Sequence, residues 1–114
     1  MPPREWRLRV EDILDAIAKI DRYVAGLTFE QFQSDEKTVD AVLRNLEVIG
    51  EAVRHLMASS DALPEAIPWT DVAGMRNILV HEYFGVDLAI VWRTISHDLV
   101  SLKMELSGLL RRTK

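Results

Sequence analysis

No cysteine occurs among the 114 residues, and that absence removes disulfide cross-links, thiolate metal sites and cysteine nucleophiles together. No apolar run approaches the ~18 residues needed to span a membrane. The opening MPPREWRLRVED carries charges where a secretory leader needs an apolar centre, so a soluble cytoplasmic protein is expected. Histidine is scarce: His55, His81 and His97 are the only three. None of them forms an H-x3-H or H-E-x-x-H pair, which makes a metal-free, cofactor-free chemistry the expectation. There is no surplus of positive charge either. Fourteen basic against eighteen acidic residues give a net charge of -4, which argues against coating nucleic acid through overall charge and leaves only a few placed arginines for such contact.

What remains is the make-up of one globular domain. Hydrophobic residues form 48% of the chain and charged residues 28%, and the charges are too well mixed for disorder. Nothing reads as a strand, a repeat or a second-domain boundary. In the first segment, Val10, Ile13, Leu14, Ile17, Ile20 and Val24 recur at three- and four-residue steps and predict a helix from about Arg4 to Ala25. Gly26 is suited to end it, and Thr28 with Gln31 forms a capping-box pattern for a short helix over Phe29 to Gln33. Ser34 and Asp35 offer caps for a third helix, about Glu36 to Ala58. Its interior Gly50 either admits a close neighbouring helix or serves a substrate backbone, with packing the commoner use. Residues Ser59 to Thr70, with Pro64 and Pro68, read as a connection. Thr70 then caps a fourth helix, Asp71 to about Phe84, closed by Gly85. Asp87 caps a fifth, with Val86 and Val91 placed as a hydrophobic staple. Leu88, Trp92, Ile95, Leu99, Leu102, Leu106 and Leu109 then alternate steps of four and three, a packing seam for a bundle or for a subunit interface. The fold class expected is all-α: an antiparallel bundle of four to five helices.

The chemistry gathers between Trp69 and Asp87. Arg76, Asn77, His81 and Tyr83 form an R-x4-H-x-Y pattern among apolar residues that anchor one side of a helix. Arginine supplies a fixed charge with a planar set of donors, and histidine exchanges a proton near neutral pH; together they suit a phosphate ester. Each has a plainer use. Helical arginines usually pair with a carboxylate, here Glu51 or Asp71, and a lone histidine near a helix end is more often structural. At about 100° per residue, Arg76 and His81 diverge by about 140° on one ideal helix. Either the arginine reaches round, or the helix breaks, or two subunits share the site. Asn77 either holds His81 from one turn away or caps a backbone group. Arg44 and Arg54 are candidates for steering a polyanion, although solvated helix-face charge is their commoner role. His55 and His97 read as surface or capping residues.

With this motif in hand, and with Ile49-Gly50-Glu51-Ala52, Gly74-Met75-Arg76-Asn77 and Val86-Asp87 in the same order along the chain, the sequence resembles the HepT-like ribonuclease toxins of the HEPN superfamily. The resemblance covers most of the chain. It implies a dimeric helical ribonuclease with an RNA substrate, in which Arg76 and His81 are catalytic and Asn77 supports them. It also implies a toxin–antitoxin pair of the HepT–MntA type, in which an MntA-type nucleotidyltransferase antitoxin transfers AMP to Tyr83. A different class stays open beside it: a non-catalytic helical module that binds a nucleotidyltransferase or its nucleotide through the same motif.

Overall fold

A computed structural model describes residues 4–59 and 87–112. The described residues are helical apart from short turns, with no strand among them. Helix α1 spans Arg4–Val24. It buries Trp6, Val10, Ile13, Ala16, Ile17 and Ile20 along one stripe, as its three- and four-residue spacing requires. Gly26 takes φ +77°, a left-handed conformation that glycine enters without a Cβ penalty. The chain turns there, with the Leu27 N–H donating to the Val24 carbonyl at 2.9 Å.

Helix α2, Phe29–Ser34, opens on a complete capping box. The Gln31 backbone N–H donates to Thr28 Oγ1 at 3.2 Å, and the Thr28 N–H donates to Gln31 Oε1 at 2.9 Å. So short a helix contributes one fully buried residue, Phe32. Of the two capping candidates for α3, Glu36–Ser59, Asp35 takes the role. Its Oδ1 accepts from the Thr38 N–H at 3.2 Å and its Oδ2 from the Thr38 hydroxyl at 2.7 Å. Ser34 instead donates its hydroxyl back to the Glu30 carbonyl.

The most extensive contact in the described structure is between α1 and α3. Val10, Ile13, Ile17 and Ile20 on one side and Val42, Leu46, Ile49 and Val53 on the other are all at most 1% exposed. Arg9 and Asp12 share a groove with residues Arg44 to Ala52, and the reversal at Gly26 lies at the opposite end, so the two helices run antiparallel. Gly50 lies on the buried side of α3, consistent with packing. Asn45, 9% exposed, satisfies its amide by donating to the Ala41 carbonyl at 2.9 Å.

Ser59, expected to open the connection to Thr70, is instead the last residue of α3; the rest of that connection, the fourth helix with its cap Thr70 and stop Gly85, and the staple residue Val86 lie outside the described residues. The last helix departs from expectation in one respect. It begins as expected on Asp87, whose Oδ1 accepts from the Ala89 N–H at 2.9 Å, and runs as α4, Leu88–Arg93. It then widens into a π turn, Thr94–Asp98, before continuing as α5, Leu99–Arg112. The Leu99 N–H reaches the Thr94 carbonyl, five residues back, and the Thr94 hydroxyl donates to the Ile90 carbonyl at 2.9 Å. Val91, Ile95 and Leu99 are all buried, although in a regular helix two successive steps of four swing a stripe by about 80°. A wider turn takes back part of that rotation. Trp92, expected in the seam, is only partly buried and packs instead on Phe32 and Phe29 of α2, at ring distances of 5.1 and 6.1 Å. From Leu99 onward the seam holds: Leu102, Leu106 and Leu109 are buried inside the chain. It therefore serves the bundle, and the same residues are not free to form a subunit interface.

The Asp35 cap makes a pH-dependent contribution. Hydrogen bonds from the Thr38 hydroxyl, and next from the Thr38 N–H, hold this carboxyl below its ordinary value of 3.8. The stabilisation is present above the ordinary carboxylate range and is lost as pH falls through the lowered value. Asparagine caps a helix about as well as aspartate but does not titrate. Asp35→Asn should therefore melt slightly below the wild type at neutral pH, because one oxygen must serve both Thr38 donors. The difference should shrink or invert as pH falls through the range where this carboxyl protonates, in melting curves followed by circular dichroism.

Candidate functional site

Arg76, Asn77, His81 and Tyr83 lie outside the described residues. The chain on either side of them is described: α3 precedes the segment and the Asp87 cap follows it, and both belong to the packed core through Val53, Leu56 and Val91. The motif is thus carried by a stretch whose two ends leave from well-packed helices.

The second family pattern, Ile49-Gly50-Glu51-Ala52, is described in full. Its four residues divide by face: Ile49, Gly50 and Ala52 are buried, while Glu51 is partly exposed. Glu51 lies beside a guanidinium and an imidazole on the same helix. Its Oε2 is 3.7 Å from Arg54 Nη1 and its Oε1 is 3.4 Å from His55 Nε2. One carboxylate thus faces a guanidinium three residues on and an imidazole four residues on, the spacings at which helix side chains become neighbours. Arg44 pairs in the same manner with Glu47, at 3.9 Å.

Glu51 also lines a groove of about 270 Å³ between α1 and α3, shared with Arg9, Asp12, Arg44 and Glu47. Two arginines face three carboxylates there, so the groove has no excess of positive charge that would hold a phosphate chain by charge alone. Arg9 and Asp12 were not apparent as groove residues from the sequence. In the sequence they are two of the charges between the apolar positions of the first helix, and only the pairing of α1 with α3 brings them beside Glu51. His97, in the π turn, is exposed. Among the described residues no cluster of three or more His, Asp or Glu side chains is arranged to hold a metal ion, and no helix is long and apolar enough to cross a membrane.

The pairs on α3 are solvent-facing: the side chain of Arg44 is 76% exposed and that of Arg54 52%. Exposed ion pairs are worth ~0–1 kcal/mol, so neither arginine is needed for the fold.

Comparison with known proteins covers nearly the whole chain. The family model described as ribonuclease HepT-like matches residues 13–108. A protein of Thermococcus cleftensis named "Probable ribonuclease HepT" is 44% identical over 94 residues, which is 82% of this chain and 86% of that protein. A "Putative RNase" of Caldanaerobacter subterraneus subsp. tengcongensis is 37% identical over 105 residues, 92% of this chain and 94% of that protein. Another protein with that description, from Methanocaldococcus jannaschii, is 34% identical over 111 residues, 97% of this chain and 92% of that protein. No solved structure matches the chain significantly.

The exposure of the α3 arginines generates a stability test. Arg44→Ala and Arg54→Ala, alone or together, should unfold within about 1 kcal/mol of the wild type in urea titrations. A larger loss would mean that these side chains hold the structure rather than line its surface.

Proposed function

The chain belongs to the HepT-like ribonuclease family, and on that premise we propose that it is a single-domain, metal-independent endoribonuclease acting as the toxin of a toxin–antitoxin pair. The observation that carries the reading is the intact R-x4-H-x-Y motif, Arg76 to Tyr83, inside the segment matched by the family model. The names of relatives aligned over most of their length support the ribonuclease part. The antitoxin, the modification of Tyr83 and the homodimer rest on the family resemblance and on the chemistry below.

RNA supplies its own nucleophile. In the proposed reaction the ribose 2′-hydroxyl attacks the adjacent phosphorus, forming a P–O2′ bond while the P–O5′ bond breaks. The product ends are a 2′,3′-cyclic phosphate and a 5′-hydroxyl. His81 takes the 2′-hydroxyl proton as general base, and a second acid, for which the partner's His81 is the candidate, protonates the departing 5′-oxygen. Arg76 binds the non-bridging oxygens as negative charge accumulates on them. Asn77 holds the imidazole of His81 in position. The chemistry needs no serine, cysteine or cofactor, and DNA, lacking the 2′-hydroxyl, is not cut.

His81→Ala should lower cleavage of total RNA by ~10²–10⁴-fold without changing the melting temperature, since general acid–base catalysis typically supplies that factor. Arg76→Lys should be impaired too, because an ammonium does not reproduce the two-point donor geometry of guanidinium on a phosphate. Excess chelator should leave the wild type active. Complete inhibition by chelator, reversed by magnesium, would rule out the metal-free mechanism; an inactive wild type of proven fold would favour a binding module.

An AMP group on the phenolic oxygen of Tyr83 adds bulk and negative charge two residues from His81, which both fills the site and repels a polyanion. Co-expression with an MntA-type nucleotidyltransferase should add one AMP mass to the peptide containing Tyr83 and abolish cleavage. Tyr83→Phe should cut RNA and escape silencing. A silenced complex with unmodified Tyr83 would assign the inhibition to binding alone.

A further inference from the structure

The start of the terminal helix has two packing registers open to it, and the structure adopts the less regular one. In a regular helix Leu88, Trp92, Ile95 and Leu99 fall within about 60° of one line, which turns Trp92 inward and leaves Val91 to the side. The π turn over Thr94–Asp98 reverses that choice. It takes up one extra residue, equivalent to about 100° of rotation, so α4 presents Val91 to the core beside Ile95 and Leu99. Trp92 leaves the seam and stands against two rings of α2, Phe32 at 5.1 Å and 37° and Phe29 at 6.1 Å and 58°. Tilted ring pairs at such distances attract beyond the area they bury. The turn is also braced where it begins: the Thr94 N–H is shared between the Ile90 and Val91 carbonyls, and the Thr94 hydroxyl adds its own bond to Ile90 at 2.9 Å.

We propose that Trp92 is a positioning residue for the cleavage reaction, a role that rests on the ribonuclease reading given above. By docking on α2 it holds the π turn open and so fixes the angle at which α4 begins. Asp87 is that beginning. Its side chain accepts from the Ala89 N–H at 2.9 Å, and its carbonyl accepts from the Ile90 and Val91 N–H groups at 3.1 Å. In the chain Asp87 follows Tyr83 by four residues and His81 by six. If the turn closed to the regular pitch, α4 would rotate by about 100° and each of its Cα atoms would move about 3–4 Å around a cylinder of ~2.3 Å radius. Only six residues separate that displacement from His81, and a misplacement of about 1 Å costs a catalytic group about 10²-fold.

The test reads register and cleavage on the same full-length variants. Because the chain has no cysteine, nitroxide labels on Arg93→Cys and on Lys19→Cys or Lys37→Cys, diluted into unlabelled protein, report the angle of α4 through pulsed electron resonance distances. Trp92→Leu places an aliphatic side chain at the seam position of the regular helix and removes the ring that α2 holds. It should stay helical, shift at least one distance by about 3 Å or more, and lower kcat for RNA cleavage by about 10²-fold with little change in KM. Deleting the exposed Ser96 removes the extra residue, so that Val91, Ile95 and Leu99 stand at regular steps of four and three. That deletion alone should keep the wild-type distances and kcat. Added to Trp92→Leu it should restore both, which a merely destabilising substitution would not allow. Phe29→Ala, which weakens the stack from the side of α2, should move both readouts the same way by a smaller amount, and it replaces Trp92→Leu if that variant does not fold. Unchanged distances overturn Trp92 as the holder of the register. Shifted distances with wild-type kcat overturn the positioning role. An inactive wild type overturns the ribonuclease reading and the positioning role with it, while the distances still decide what holds the π turn.

Discussion

The rest of the described structure depends on the antiparallel packing of α1 against α3. Eight aliphatic side chains across that contact are at most 1% exposed, and truncating any one Ile or Leu to alanine in such a setting costs about 2–5 kcal/mol. This contact fixes which side of α3 faces outward. Val42, Leu46, Ile49 and Val53 turn into the core, so Arg44, Glu47 and Glu51 must line the outer groove with Arg9 and Asp12. It also gives Phe32 and the terminal helix their footing, since Trp92 reaches the core through α2. The motif-bearing stretch thus departs from one anchored helix and rejoins another.

The places where the chain stops and turns were legible because each depends on a few local atoms. Gly26 permits a positive φ, Thr28 and Gln31 satisfy each other's backbone N–H groups, and Asp35 and Asp87 present side-chain oxygens to helix N-termini. None of these requires knowledge of a distant partner. The π turn was not legible for the opposite reason. A heptad reading assumes one rotation per residue throughout, which places Trp92 in the seam. The real helix changes its rotation over Thr94–Asp98 and buries Val91 with Ile95 and Leu99. The aromatic faces of α2 attract Trp92, and a sequence period cannot register that. The exposed Val100 and Met104 of α5 are hard to pick out in the sequence, where they lie among Ser101, Lys103 and Glu105.

For the candidate site the division is similar. Residue types and spacing reveal chemistry: a guanidinium and an imidazole five residues apart can serve a phosphodiester wherever the fold places them. They do not reveal convergence, which depends on backbone breaks and on neighbouring subunits. The groove around Glu51 shows how far a family pattern can be followed from its letters. Ile49, Gly50 and Ala52 are taken up by burial, and only Glu51 is left to meet polar side chains, where it finds Arg54 and His55. The Ile-Gly-Glu-Ala run is largely a packing signal with one polar member.

A net charge of -4 and the proposed RNA substrate fit together only if attraction is local. The arginines of α3 lie beside carboxylates three residues away, at 3.9 and 3.7 Å, so at a distance each pair is nearly neutral. A Debye length of about 8 Å at physiological ionic strength limits what more remote charges contribute. Binding energy must then come from groups in direct contact with the phosphate, Arg76 above all in the proposed mechanism. Reliance on few groups also shapes control. A protein that gripped RNA over a broad basic surface would need that whole surface covered to be silenced, whereas one that depends on an arginine and a histidine is disabled by a single charged group placed beside them. Tyr83, two residues from His81, offers the oxygen on which such a group would sit.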